Sequence, residues 1–259
     1  MDWWGAGRQR QDLRHPFSTS ILIIDPNTNI SDTTTITGLS GVSKWAYGVL
    51  AGNGKIYGIP FHSTPVLIID PAINTADTTT ISGLSGNSKW FGGVLAGNGK
   101  IYGIPAGSTS ILIIDPSTNR ADTTTITGLS GAQYKWAGAA RAGNGKIYSM
   151  PFDSQSVLII DPTKNTVDTT TITGLTAGIN KWSSAVLAST GMIYGIPQNS
   201  ESVLVINPMT NTVDTIPALQ GAVKFQGGVL ADNGKIYGIP ASSSSVLIIQ
   251  QACCNTKGL

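Results

Sequence analysis

Short aliphatic runs alternate with polar turns along the chain, and the same runs return at a fixed spacing. The runs with the turn that follows them lie at 21–26, 66–71, 111–116, 157–162, 203–208 and 246–251. The string NGKIYGIP and its variants lie at 53–60, 98–105, 144–151, 190–197 and 233–240. The aspartates that end the aliphatic runs stand at 25, 70, 115 and 161, so the pattern predicts a repeat unit of 45 or 46 residues.

Each unit predicts four strands, which we name A to D in chain order. The first complete unit places them at 48–51, 55–59, 66–69 and 77–81. Asn53-Gly54 between strands A and B suits a tight hairpin turn, and Pro60 ends strand B because it has no N–H to donate. Strand C is apolar on both faces, which indicates burial between two layers, and the threonines of strand D suit an outer strand.

Four antiparallel strands in each unit, with no helix signal, predict an all-β fold: a β-propeller of five or six four-stranded blades. The strand count is five for A and B, six for C and five for D. Five blades close if the C-terminal A and B strands join the N-terminal C and D strands, whereas chain length favours six. An incomplete ring is a further alternative. A β-helix is the main rival, but its rungs are shorter and its strands parallel.

The ends of the chain depart from the repeat. We expect a non-repeat segment at 1–16, propeller repeats over 17–250 and a divergent tail at 251–259. Residues 1–16 can be encoded so that the neighbouring reading frame gives WTGGVLAGNGKIYGI, which matches the repeat. We therefore interpret them as an out-of-frame reading of a normal blade, which the coding sequence can test. Met1 is then not the authentic start, and the sequence does not indicate a cellular compartment.

The composition narrows the class of partner. Charged residues make up 12% of the chain and the formal net charge is +2, with the lysines spread evenly, so we expect no nucleic-acid partner. The aliphatic runs are four residues long, too short for membrane insertion by a helix. Cys253 and Cys254 are adjacent and cannot form a disulfide framework or a spaced metal site. We expect a monomer.

The repeat consensus KIYGIPxxSxSVLIIDPxTNTVDTTTI resembles the YVTN and NHL group of propeller repeats over residues 17–250. That resemblance implies blades with an aromatic strand B, an aliphatic strand C that ends in Asp, and a Thr-Asn turn. Tyr-Gly-Ile-Pro stands where that group has YVTN. The resemblance implies a fold rather than an activity, because propellers host many unrelated functions.

A Lys-Trp or Lys-Phe pair precedes strand A in every complete unit. The pairs are Lys44-Trp45, Lys89-Trp90, Lys135-Trp136, Lys181-Trp182 and Lys224-Phe225. A ring of such pairs on one face is suited to an anionic or sugar-like ligand through charge, stacking and cation–π contact. Alternatively, the aromatic rings pack between blades with the lysines beside them. We predict the ten residues as a ligand-binding ring and leave the packing alternative open.

Single-copy residues are the candidates for catalysis, because a catalytic site should appear once. They are His62, Asp153, Glu201 and Asp232, and His15 falls in the non-repeat segment. The repeated Asp-Pro-x-x-Asn-x-x-Asp turn, as in 115–122, has oxygen ligands suited to calcium, but such side chains also cap turns. The chain lacks the acidic partners of the metal site in the similar gluconolactonase-like propellers. We assign no catalytic residue, metal or cofactor.

These observations predict a non-enzymatic propeller scaffold that binds a protein or carbohydrate partner through its loop faces. A metal-dependent hydrolase or lactonase that acts in a central channel is the alternative. A gene fragment without a selected function is a third possibility.

Overall fold

The computed structural model describes residues 19–41, 43–217 and 220–250, and all its regular elements are β-strands. The out-of-frame hypothesis for 1–16 and the tail at 251–259 lie outside the described residues. None of the described residues forms a helix long and apolar enough to cross a membrane. The chain divides into two compact units, Met1–Tyr134 and Lys135–Leu259.

The described residues of the first unit form ten strands: β1 (Ile23–Asp25), β2 (Ile30–Asp32), β3 (Trp45–Leu50), β4 (Ile56–Pro60), β5 (Leu67–Asp70), β6 (Thr75–Asp77), β7 (Trp90–Leu95), β8 (Ile101–Pro105), β9 (Leu112–Asp115) and β10 (Arg120–Asp122). Those of the second unit form eleven: β11 (Trp136–Arg141), β12 (Ile147–Pro151), β13 (Leu158–Asp161), β14 (Thr166–Asp168), β15 (Trp182–Leu187), β16 (Ile193–Pro197), β17 (Ser202–Asn207), β18 (Thr212–Pro217), β19 (Phe225–Leu230), β20 (Ile236–Pro240) and β21 (Leu247–Ile249).

Consecutive strands pair antiparallel and form one sheet for each repeat. The four-stranded sheets are β3–β6, β7–β10, β11–β14 and β15–β18; β19–β21 form a three-stranded sheet and β1–β2 a two-stranded one. The predicted antiparallel unit and the predicted strand count are therefore confirmed. The third strand of the last sheet is its own β21, which pairs with β20, while β1 pairs with β2. Among the described residues, β19 and β20 do not join the sheet of β1 and β2, which is the pairing that would close five blades.

Strand A begins earlier than the predicted 48–51, because a bulge hides its first half from the alternation pattern. Trp45 already pairs with Pro60, and the register shifts before Gly48 pairs with Gly58. The amide of Phe61 donates to the carbonyl of Lys44 at 2.9 Å and extends the pairing by one more step. The tryptophan of each Lys-Trp pair is thus the first residue of strand A.

Strand D was predicted at 77–81, and this prediction is wrong because the threonines form a turn. β6 ends at Asp77, whose carboxylate accepts the amides of Thr79 and Thr80 at 2.6 and 3.2 Å and also both threonine hydroxyls. After this turn the carbonyl of Ile81 accepts the amide of Val66 at 2.9 Å, so the chain rejoins the sheet edge.

The fifth copy of the repeat lacks the threonine triplet and shows the alternative. Its sequence after Asp214 is Thr-Ile-Pro, and here β18 runs unbroken and pairs with the whole of β17, from Asn207 opposite Thr212 to Ser202 opposite Pro217. The triplet, rather than the repeat as a whole, shortens strand D in the other copies.

Aliphatic side chains fill the space between neighbouring sheets. In the first unit Ile59, Val66 and Ile101 are fully buried in one cluster. Strand A approaches so closely that a Cβ placed on Gly93 would lie 2.8 Å from Cδ1 of Ile59. In the second unit a Cβ on Gly228 would lie 2.8 Å from Cδ1 of Ile196. At these two positions an isoleucine from the preceding sheet therefore occupies the space that a side chain on strand A would take.

Candidate functional site

The buried lysines of the Lys-Trp pairs connect neighbouring loops by hydrogen bonds. Lys89 is 3% exposed, and its Nζ donates to the carbonyls of Phe61, Ser63 and Gly86 at 3.2, 2.8 and 2.8 Å. An ammonium has three N–H donors, so each has an acceptor. The carbonyls belong to the β4–β5 loop of the preceding sheet and to the β6–β7 loop. Lys89 therefore joins two neighbouring blades.

The same arrangement recurs in the second unit. Nζ of Lys181 donates to the carbonyls of Phe152, Ser154 and Gly178 at 3.2, 2.8 and 3.2 Å. Burial lowers the pKa of Lys181, and it lowers the pKa of Lys89 and of Lys135 to about 8. The carbonyl oxygens favour the charged form and so oppose this effect of burial.

The tryptophans hold the start of strand A against the chain at the beginning of strand C. Nε1 of Trp90 donates to the carbonyl of Ser110 at 2.9 Å, and Nε1 of Trp182 to that of Ser202 at 2.8 Å. Nζ of Lys89 lies 6.0 Å from the centre of the Trp90 ring. These contacts fit the packing interpretation, and ligand binding by the ring stays a prediction.

Most of the predicted ring lies inside the molecule. The buried members are Lys89, Trp90, Lys135, Trp136, Lys181, Trp182, Lys224 and Phe225. Lys44 and Trp45 are partly exposed.

A polar groove opens above one of these pairs. A cavity of about 370 Å³ lies between the β6–β7 loop at 83–87 and the β8–β9 loop at 107–110, with Lys89 and Trp90 among its lining residues. Ser85, Asn87, Thr109 and Thr123 also line it. Its lining is therefore rich in hydroxyl, amide and backbone groups, with an indole and a fully bonded ammonium beside them.

The β8–β9 loop is ordered by its own serines. The Oγ atoms of Ser108 and Ser110 are 3.2 Å apart, and the amide of Ser110 donates to Oγ of Ser108 at 3.1 Å. Thr109, between them, is exposed. This turn presents the Thr109 side chain at the groove on a fixed backbone.

Gly107 stands where other blades have a polar side chain that bonds to the loop before the next strand A. His62 Nδ1 accepts the amide of Ser88 at 3.2 Å, and Asp153 Oδ1 accepts that of Asn180 at 2.7 Å. Asn199 Oδ1 makes the same contact with the amide of Val223 at 2.8 Å. Gly107 has no side chain that could accept a backbone amide of the following loop in this way.

Two of the single-copy candidates for catalysis therefore have a structural role. His62 and Asp153 accept amides of residues whose φ is positive, 48° at Ser88 and 53° at Asn180, so they hold strained loops in place. The other two candidates, Glu201 and Asp232, are exposed in loops.

An aromatic cluster in the first unit was not found from the sequence. The rings of Tyr47 and Phe91 lie 5.8 Å apart at 87°, and Phe61 lies 5.3 Å from Phe91 and 6.3 Å from Tyr134. Burial raises the pKa of Tyr47 to about 12, so its hydroxyl stays protonated near neutral pH. The available signal was departure from the repeat, since other copies have Gly or Ser in place of Tyr47.

The acidic turns use their oxygens internally. Asp115 Oδ1 accepts the amide and the hydroxyl of Ser117 at 3.0 and 2.6 Å. Asn119 Oδ1 accepts the hydroxyl of Tyr57 from the preceding sheet at 2.6 Å. Within 19–41, 43–217 and 220–250, no three His, Cys, Asp or Glu side chains gather as a metal-binding group.

Comparison with known proteins identifies a fold. No family model and no curated protein sequence matches the chain. Among solved structures, virginiamycin B lyase from Staphylococcus aureus matches with a TM-score of 0.60 and 10% identity, over 81% of this chain and 70% of the lyase. An auxiliary nutrient binding protein from Bacteroides thetaiotaomicron matches with a TM-score of 0.59 and 15% identity, over 82% of this chain and 56% of that one.

Hydrazine synthase from Kuenenia stuttgartiensis is a third structural match, with a TM-score of 0.58 and 12% identity, over 80% of this chain and 63% of that one. Likeness at these identities concerns the fold alone, and the three proteins have different functions. The repeated four-stranded antiparallel sheets and these matches show that the chain is a β-propeller protein.

Proposed function

We propose that this protein is a non-enzymatic β-propeller scaffold that binds a neutral glycan in the groove formed by the loops at 83–87 and 107–110. The groove itself carries the proposal, because the hydroxyl and amide side chains of Ser85, Asn87 and Thr109 line one cavity, next to the buried indole of Trp90. Directional polar groups of this kind can bind the hydroxyls of a sugar ring and fix its orientation. Its cavity of about 370 Å³ falls within the usual size of a small-molecule site.

The electrostatics of the groove favour a neutral ligand over an anion. Lys89 supplies a positive charge, but its three N–H groups already donate to carbonyls. An anion would have to displace at least one of these bonds. A neutral sugar can instead bond to Ser85, Asn87 and Thr109, which are exposed at the groove.

The repeat and the structural neighbours give secondary support. An aromatic strand B, an aliphatic strand C that ends in Asp, and a Thr-Asn turn favour the YVTN and NHL group of repeats. One structural match is described as an auxiliary nutrient binding protein, and this description supports the proposal of ligand binding. Neither point names the glycan.

The experiment is a screen of the full chain against an array of neutral oligosaccharides, followed by calorimetric titration of the best binder. We expect Thr109→Trp, which fills the groove, to weaken binding by at least about tenfold, a loss of about 1.4 kcal/mol. Gln155→Trp is the matched control, because Gln155 occupies the equivalent exposed position in the next blade. The proposal fails if no neutral glycan binds, or if both variants bind as the parent does.

A further inference from the structure

The last sheet exposes a face that every complete sheet buries. Ile239 on β20 is 42% exposed, whereas Ile59 and Ile196, at the same register position, are 0% exposed. Val246 is 53% exposed, whereas Val66 is 0% exposed. Val229 and Ile248 are also exposed on this sheet. A cluster of apolar side chains of this kind marks an interaction surface.

The interior interfaces show what covers such a face. In the first unit the glycine of the next strand A, Gly93, lies against Ile59 and Val49, at 2.8 and 3.2 Å from a Cβ position. In the second unit Gly228 lies in the same way against Ile196, at 2.8 Å. In both of these interfaces the isoleucine of strand B therefore packs on a glycine of the next strand A.

The residues that the structure describes include one more surface of that kind. Gly48 on β3 pairs with Gly58 in the register in which Gly93 pairs with Gly103. Gly48 is exposed, and the atom nearest to its Cβ position is Cγ2 of Ile56 in its own sheet, at 3.1 Å. Leu50, on the same strand, is also exposed. Among the described residues, no isoleucine of another sheet presses on Gly48.

We infer that the β19–β21 face of one molecule docks on the β3–β4 face of a second copy of this chain. The packing would repeat the interior interfaces. Ile59 and Val49 lie over Gly93 within the molecule. Ile239 and Val229 would lie in the same way over Gly48 of the second copy. The contact joins two different surfaces, so association is head to tail. This inference replaces the expectation of a monomer and is independent of glycan binding.

Sedimentation velocity of the full chain, from low micromolar to several hundred micromolar, tests the inference. The parent should associate as its concentration rises. Ile239→Lys should remain monomeric, because it places a charge in the docking face, and Gly48→Arg should do the same at the receiving face. Leu50→Lys serves at that face if circular dichroism shows that Gly48→Arg does not fold.

Mixing the two variants gives the sharpest result. Each retains one intact face, so the mixture should form a dimer with one molecule of each and nothing larger. Ile216→Lys is the matched control, because Ile216 is likewise 42% exposed but lies on the outer strand β18, and it should associate as the parent does. A parent that stays monomeric overturns the inference. So does a Gly48→Arg variant that associates with itself, or a mixture that forms no dimer.

Discussion

At the scale of the residue, the repeated polar side chains serve the contacts between sheets. Lys89 and Lys181 each bond to three carbonyls, and Tyr57 and Tyr148 each reach an asparagine of a neighbouring turn. The Lys-Trp pairs could be found from the sequence because they recur. The burial of the lysines could not, since the sequence does not show which carbonyls converge on each ammonium.

A substitution of Lys181 tests this role. Lys181→Met keeps the length of the side chain but leaves three carbonyls without their donor, so we expect the free energy of unfolding to fall by about 1–3 kcal/mol. Lys164→Met, in the exposed turn between β13 and β14, should change it by less than about 0.5 kcal/mol. Urea denaturation of both variants measures the difference. Equal stability of the two variants would show that the hydrogen bonds of Lys181 do not contribute to the free energy of unfolding.

At the scale of the element, strands A, B and C could be predicted because alternation and turn residues agree with the sheet. Strand D was placed wrongly because threonine has a high β-propensity, whereas the preceding aspartate competes for the backbone amides and forms a turn. The fifth copy, in which β18 is unbroken, shows that the triplet decides the outcome. The groove was missed because it is formed by two loops that the repeat pattern does not place next to each other.

Acid should weaken the threonine turns. The Thr125 hydroxyl and the Thr124 amide donate to the Asp122 carboxylate and, against a smaller effect of burial, lower its pKa to about 2 from the usual 3.8. The Asp77 turn behaves in the same way. A pKa lowered in the folded state stabilises the protein above about pH 3.8, and this contribution disappears as the pH falls towards 2.

The pH dependence of urea denaturation gives the measurement. We expect the parent to lose stability between pH 3.8 and 2, and Asp122→Asn to lose less over that window. Asp214→Asn, in the copy that lacks the threonine triplet, is the control and should follow the parent. An Asp122→Asn variant with the same pH profile as the parent would rule out this role for the carboxylate.

At the scale of the whole molecule, one repeated unit accounts for the sheets, their packing and the two uncovered faces. The class of fold could be predicted because the same strand and turn pattern, which is weak evidence in one unit, recurs in every copy. The ligand could not, because the residues that repeat are occupied by structural contacts. The features that differ between copies, such as Gly107 and the aromatic cluster around Phe91, carry what is specific to this chain.

A double-mutant cycle on Ile59 and Gly93 measures whether isoleucine packs on glycine between neighbouring sheets. Gly93→Ala adds a methyl group that would lie 2.8 Å from Cδ1 of Ile59. Overpacking of this kind typically costs about 1–3 kcal/mol. In an Ile59→Ala background the clash is gone, so Gly93→Ala should cost at least about 1 kcal/mol less. Additive effects of the two substitutions on the free energy of unfolding would show that Ile59 does not pack on Gly93.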